Sequence, residues 1–414
     1  MTPRAGWNIW LISKYASLPK YGPGSRLFYL ARELRRDGHE PLLVTSDANH
    51  LAQFPETSER YNQEEVDGVR VCWIKTRKYT RTASVGRILS WVDFERRLLG
   101  LPRRQFPRPD VVIVSSLSLL SVLYGYYLKR RIGVPLVFEI RDIWPLTLVV
   151  EGGFPRWHPL VVCLGLIERF GYRNADLIVG TMPRLDLHVR DAIGRERPFH
   201  CSPLGFAPES TEEETPLSDE FLRRHFPEDK VIIGYAGSMG TTNALKPLMR
   251  CIEEMSDRTD VHFVLLGMGD QRETFAARMA GRANVSFVPR IAKTEVASFL
   301  RCCDILYLSA HDSPVWRFGQ SLNKMVDYML AGKPIIASYS GYPSMLNEAE
   351  AGVFVQAGDH RALRETITQM VAMPAERRAE IGARGRAWLL ANRSYAVLAK
   401  QYLSALERIV QRES

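Results

Sequence analysis

Residues 9–45 read IWLISKYASLPKYGPGSRLFYLARELRRDGHEPLLVT. Ile9–Ile12 is an apolar run of strand length, followed by a loop holding Pro19, Gly22, Pro23 and Gly24. Arg26–Arg36 then sets Leu27, Leu30, Ala31 and Leu34 on one face of a helix, and Asp37-Gly38 stops it. Pro41–Thr45 returns to strand. Strand, glycine-rich loop, helix and strand in this order are the unit from which a parallel sheet with helices on both faces is wound.

The unit recurs along the chain. Val111–Val114, Leu136–Ile140 and Leu177–Val179 are further short apolar runs bounded by turn residues. After an acidic stretch with proline and serine, Pro208 to Asp219, the pattern starts again. Val231–Tyr235, His262–Leu266, Val285–Phe287, Ile305–Leu308, Pro334–Ala337 and Val353–Val355 are its expected strands. With 414 residues, the reading is an α/β chain of two doubly wound, Rossmann-like parallel-sheet domains facing across a cleft. The first domain is expected over 1–203 and the second from 204 to 390. Ligands of such sheets lie outside the carboxyl ends of the strands.

Hydrophobic content of 46% and charged content of 24% are those of a folded globular chain. The six cysteines form no CxxC pair and read as reduced thiols of a cytosolic protein. The N-terminus carries no expected secretory signal, because the run Ile9–Ile12 is too short. Val111 to Leu128 is uncharged, but its four serines and one glycine divide it into a buried strand and a helix rather than a span.

The net charge of +9 is concentrated. From Arg70 to Arg108 there are eleven Lys or Arg against Asp93 and Glu95, so this segment carries the whole excess. Trp73, Tyr79, Trp91, Phe94 and Phe106 stand among the cations, and Val85, Ile88, Leu89, Val92 and Leu99 recur at helical intervals. Cations interleaved with aromatics suit an anionic membrane surface. The same pattern fits nucleic-acid phosphates or a solvated basic face over a core helix; the membrane is the expected partner, and no nucleic acid is expected.

Three loops carry phosphate-like chemistry: Tyr21–Arg26, Gly234–Gly240 and Gly267–Asp270. None completes a dinucleotide fingerprint. Arg272 and Leu27 stand where the third glycine belongs, which sets the dehydrogenase reading aside. Residues 318–334, FGQSLNKMVDYMLAGKP, read as loop, helix and stop, with Gly332 at the C-cap and Pro334 beyond. Lys324 in the first helical turn opposes the helix dipole unless an anion binds there. Asp327 lies one turn after Asn323, within reach of ribose hydroxyls. Diphosphate at the helix start and sugar one turn along make a coherent nucleotide site.

YGPGSR with LARELRRDGHEPLLVTS, FEIRDIWPLTLVVEGG, YAGSMG, SLNKMVDYMLAGKPIIAS and NRSYAVLAKQYLSAL together resemble the retaining GT-B glycosyltransferases of family four. Within it they resemble the fucosamine-transferase-like branch of bacterial surface-polysaccharide synthesis. The resemblance implies that Gly22, Gly24 and Ser25 approach a donor diphosphate, with Gly237 and Gly240 on its other side. It implies Arg290 at the base, Ser321, Asn323 and Lys324 at the diphosphate, and Asp327 at the ribose. Glu139, Arg141 and Asp142 would line the acceptor side, with Arg141, Asp142 and Lys324 catalytic. The last helix, within 391–414, would cross back to the first domain.

Two positions depart from the wider family. Gly319 and Asp327 stand where many members carry two glutamates, leaving the donor sugar to His311, Asp312, Trp316 or Arg317. Arg141 stands where a histidine is common. The implied chemistry is transfer from a UDP-sugar, an N-acetylated hexosamine, to a polyprenyl-diphosphate-linked saccharide. The enzyme would sit in the cytoplasm, peripheral on the inner face of the plasma membrane. No metal or other cofactor is expected, since no DxD motif is present and cations with amide dipoles stabilise the departing diphosphate. A nucleotide-sugar epimerase and a non-catalytic nucleotide-sugar-binding scaffold are the rival readings.

Overall fold

The computed structural model describes residues 6–410, other than Pro23, 50–54, Glu56, 80–83, Leu117 and 212–213. Pro23 of the first glycine loop, Arg81 of the basic segment and two residues of the acidic stretch therefore lie outside the described residues. The chain divides into two compact units, Met1–Pro203 with Tyr395–Ser414, and Leu204–Ser394.

The first unit holds β1 (Asn8–Ile12), α1 (Arg26–Arg36), β2 (Glu40–Ser46), β3 (Tyr61–Val66), β4 (Val69–Ile74), α2 (Val85–Leu99), β5 (Val111–Ser115) and α3 (Ser121–Ile132). It continues with β6 (Leu136–Ile140), α4 (Leu146–Val150), α5 (Pro159–Asn174), β7 (Leu177–Gly180), α6 (Leu185–Ile193) and β8 (Phe199–Cys201). The strand order is β3-β4-β2-β1-β5-β6-β7-β8, parallel throughout except for the β3–β4 hairpin. Side chains alternate between the two faces. Ile9, Leu11, Leu43, Val111, Ile113 and Val137 pack on one face in a core with Leu27, Leu30 and Leu34 of α1. The intervening residues face the other layer. Cβ atoms placed on Gly125 of α3 and Gly171 of α5 would run into Val114 and Phe138, so these helices lie close against the sheet.

The second unit holds α7 (Asp219–His225), β9 (Val231–Ala236), α8 (Lys246–Glu254), β10 (Val261–Leu266), α9 (Arg272–Arg278), β11 (Val285–Val288), α10 (Val296–Cys302) and β12 (Ile305–Ser309). Then come α11 (Asn323–Leu330), β13 (Ile335–Ser338), α12 (Met345–Glu348), β14 (Gly352–Val355), α13 (His360–Ala372) and α14 (Ala375–Asn392). Its all-parallel order, β11-β10-β9-β12-β13-β14, reverses direction between β9 and β12, which is where a doubly wound sheet leaves a crevice. The final helix, α15 (Tyr395–Val410), belongs to the first unit, where Tyr402, Leu406 and Ile409 enter the core beside α1.

Two expectations need correction. The second unit runs to Ser394 rather than to 390, with α14 packed on α11 inside it. The segment 70–108 is not an insertion from its first residue: β4 is an interior strand, between β2 and β3. The β3–β4 hairpin turns at Asp67-Gly68, which both adopt positive φ, 51° and 75°, as a two-residue primed turn demands.

Candidate functional site

In the second unit, β9 ends at Ala236 and the chain turns at Gly237. The turn is tied to its neighbour by Gly237 N–H donating to the Leu266 carbonyl and Met239 N–H to that of Met268, at 3.0 and 2.8 Å. The Tyr328 hydroxyl holds it from α11, accepting from Ala236 N–H at 2.9 Å. A cavity of about 450 Å³ opens over this turn. Its lining includes Gly237, Ser238, Gly267, Met268, Arg290, Ile291, Lys293, Lys324 and Asp327.

Lys324 enters it from the first turn of α11, a turn without an acidic residue. Its ammonium donates to the Tyr235 hydroxyl at 2.7 Å and to Asn243 Oδ1 at 2.6 Å. Both partners are neutral, and burial brings the amine down to about 8. Glycine is required at 237: a Cβ there would lie 2.3 Å from Lys324 Cε, on a backbone at φ 153°. Asp327 is open to the cavity but ringed by apolar chain, so that burial pushes its carboxyl up to about 6 while Lys293 pulls it down. The cavity thus pairs a cation lacking a carboxylate partner with a carboxyl one turn further along. That arrangement suits an anion next to a polyol.

Of the expected donor residues, Gly237, Arg290, Lys324 and Asp327 come together here. Gly240, Ser321 and Asn323 do not line the cavity. The Ser321 oxygen accepts from Leu204 N–H at 2.8 Å and so anchors the start of the unit. His311 is engaged with the Thr241 carbonyl, and Trp316 donates to the His311 carbonyl at 2.8 Å. Gly319 sits at φ 94°, a conformation in which a glutamate would be strained. Tyr235, Asn243 and Tyr328 were missed, although the first and last stand inside the motifs YAGSMG and SLNKMVDYM.

In the first unit, Gly22 and Gly24 both turn at positive φ, 109° and 104°, and Ser25 precedes α1 without capping it. Arg26, read above only as the start of a helix, forms a buried pair with Glu139: one guanidinium nitrogen lies 2.9 Å from both carboxylate oxygens. Ser115 also donates to Glu139, at 2.7 Å. Glu139 has no exposed surface, so its expected place on an acceptor-facing wall is corrected: it supports the sheet end from beneath. Arg141 and Asp142 follow β6 and are half-buried. Burial, then Arg26, disfavours the Arg141 charge, while burial raises the Asp142 carboxyl against the pull of Arg141. Nearby, Lys14 is wholly buried and brought to about 7 by burial, and burial raises Glu95 to about 7. Among the described residues, no three His, Cys, Asp or Glu are grouped to hold a metal.

Residues 21–205 match the family model described as "Glycosyl transferase 4-like domain", and residues 230–373 match "Glycosyl transferases group 1". No curated protein sequence matches the chain. Among solved structures, sucrose-phosphate synthase from Thermosynechococcus elongatus superposes with a TM-score of 0.74 at 16% identity, over 99% of this chain and 100% of that one. The E. coli trehalose-6-phosphate protein bound with UDP-2-fluoro glucose gives 0.71 at 11%, over 98% and 99%. Anabaena HepE in complex with UDP gives 0.66 at 15%, over 97% and 100%. At these identities the likeness shows the fold, which is GT-B.

Proposed function

We propose that this chain, a glycosyltransferase of the GT-B fold with a glycosyl transferase 4-like and a group 1 domain, moves an N-acetylated hexosamine from a UDP-sugar to a polyprenyl-diphosphate-linked saccharide. The product would enter bacterial surface polysaccharide, and the work would be done at the inner face of the plasma membrane.

The observation that carries the reading is Lys324, a half-buried cation with neutral partners beside Asp327 in one cavity. The diphosphate is assigned to Lys324 and the start of α11, the ribose to Asp327, and the base to the apolar wall by Arg290. HepE and the E. coli protein are solved with UDP or a UDP-sugar, which supports uridine as the base. In the reaction, the bond from sugar C1 to the diphosphate oxygen breaks. The acceptor hydroxyl bonds to C1 on the same face, and its proton passes to a phosphate oxygen. Lys324 stabilises the charge gathering on the leaving group, and no metal is required of the protein. Arg141 and Asp142 are assigned to the acceptor, and Gly22, Gly24 and Ser25 to phosphate recognition in the first unit.

The test is calorimetric titration with UDP, GDP, ADP and CMP, with Lys324→Ala alongside. Selective UDP binding, weakened in the variant, is expected and would open a screen of UDP-sugars with lipid-linked acceptors. Absence of binding to all four would overturn the donor assignment. Binding without transfer to any acceptor would favour the scaffold, and interconversion of the sugar without an acceptor would favour the epimerase.

A further inference from the structure

Among the described residues, ten of the fourteen large apolar side chains that stand open to water belong to one layer of the first unit. That layer is α2, α3 and α5, with α2 packed on α3 and α3 on α5. Each helix repeats one pattern. On α2, Val85, Ile88, Leu89 and Val92 form an exposed stripe over the first turns, followed by Arg96 and, at the helix end, by exposed Leu99. On α3, Leu123 and Tyr127 lead to Arg130; on α5, Val162 and Leu166 lead to Arg169 and Arg173. Trp157, 78% exposed, stands just ahead of α5.

Direction makes the pattern meaningful. The strands β4, β5, β6 and β7 are connected through these helices and belong to the parallel part of the sheet. Each helix therefore runs back against its strands and begins at their carboxyl ends, the edge where ligands of such sheets lie. All three apolar stripes start at that edge, with the arginines one to two turns behind, and on α2 Leu99 carries the apolar face past them.

The charges sort the same way. The three helices carry eight Lys or Arg and three acids. Asp93 is paired with Arg97, Glu95 accepts from Ser118 and Ser121, and Glu168 is buried against His188 and Tyr172. The outward face is thus apolar and cationic, with its acids already engaged. No described helix is long and apolar enough to cross a bilayer.

We infer that α2, α3, α5 and Trp157 form a single membrane-docking face, whose apolar edge enters the headgroup region of an anionic bilayer while the arginines behind it meet lipid phosphates. This is wider than the basic segment 70–108, half of its ten exposed apolar side chains lying on α3, α5 and Trp157. It takes only the membrane from the functional reading above and does not depend on the donor site. Apolar area and cations contribute together, so binding falls with salt without vanishing.

The experiment is sedimentation of the full chain with vesicles of equal parts phosphatidylglycerol and phosphatidylethanolamine, against vesicles of phosphatidylcholine. Binding is expected to the anionic vesicles and to persist in part at raised salt. Val92→Asp and Leu166→Asp should each weaken it about tenfold or more. Brominated acyl chains should quench wild-type fluorescence, and Trp157→Phe should remove part of that quench. UDP titrations of the same variants should match wild type, which separates this face from the donor cavity. Vesicle binding unchanged in both Asp variants would overturn the proposal. So would no vesicle binding by wild type, or a wild-type dimer that the Asp variants dissolve.

Discussion

The Lys324 ammonium sits 2.7 Å from the Tyr235 hydroxyl, and that hydroxyl in turn donates to the Ser238 carbonyl at 2.6 Å. The lysine is seated on the very turn that floors the cavity, and its charge is balanced by no carboxylate there. Removing it should leave the fold intact, because the folded state bears the burial of an unneutralised amine. Lys324→Ala is expected to keep or raise the melting temperature while lowering kcat about 10²–10³-fold, in line with loss of one donor to a developing anion. Wild-type turnover would refute the assignment.

Donor binding should be bell-shaped in pH. Asp327 ionises near 6 and Lys324 loses its proton near 8, so both are charged only between those values. Asp327→Asn should flatten the acid limb of UDP affinity and Lys324→Ala the alkaline one. Stability follows the opposite logic. The Lys324 value is lowered on folding, so the unfolded chain binds more protons between about 8 and 10.5 and this group's contribution rises with pH there. The Asp327 value is raised, so its contribution falls as pH climbs from 3.8 to about 6. Chemical denaturation across pH, with and without each substitution, measures both.

Gly237→Ala should act through Lys324. The added Cβ would fall 2.3 Å from Cε on a backbone that disfavours side chains. A loss of about 1–3 kcal/mol in stability is expected. UDP affinity should fall by at least about tenfold, measurable by titration; equal affinity would show that the lysine need not sit there.

The Arg26–Glu139 pair, with 3% and 0% of each side chain exposed, should be intolerant of single changes. Arg26→Met or Glu139→Gln alone leaves a buried, poorly compensated group, at a cost of about 3–5 kcal/mol by denaturant unfolding. The double variant should recover much of that loss.

Gln320 is 6% exposed, and neither its amide oxygen nor its nitrogen has a partner. Such a group lowers stability. Gln320→Met should therefore raise the melting temperature by a few degrees, as scanning calorimetry would show. A fall would mean that the amide is satisfied in solution.

The buried strands of the second unit were legible because each is a short apolar run between turn residues, and helix α1 because its apolar stripe and its stop are local. The β3–β4 hairpin was not: β3, with Asn62, Gln63, Glu64 and Glu65, is a polar edge strand, and its neighbour β4 begins within a basic run. At the site, Lys324 and Asp327 were readable from their places on one helix. The seat of Lys324 was not, since Tyr235 and Asn243 lie 89 and 81 residues away along the chain.

By itself, then, the sequence determined what depends on neighbours in the chain: alternating strand and helix, the glycine turns, the lysine at a helix start and the surplus of cations in one segment. Periodicity and turn chemistry act over a few residues and survive without knowledge of the rest. Tertiary structure decided what depends on distant partners. It enclosed Glu139 with Arg26 rather than leaving it open, and turned the apolar stripes of α2, α3 and α5 outward as one face. An apolar stripe at helical spacing reads the same whether it meets the sheet or the solvent, and only packing, which fills one face of each helix, distinguishes the two.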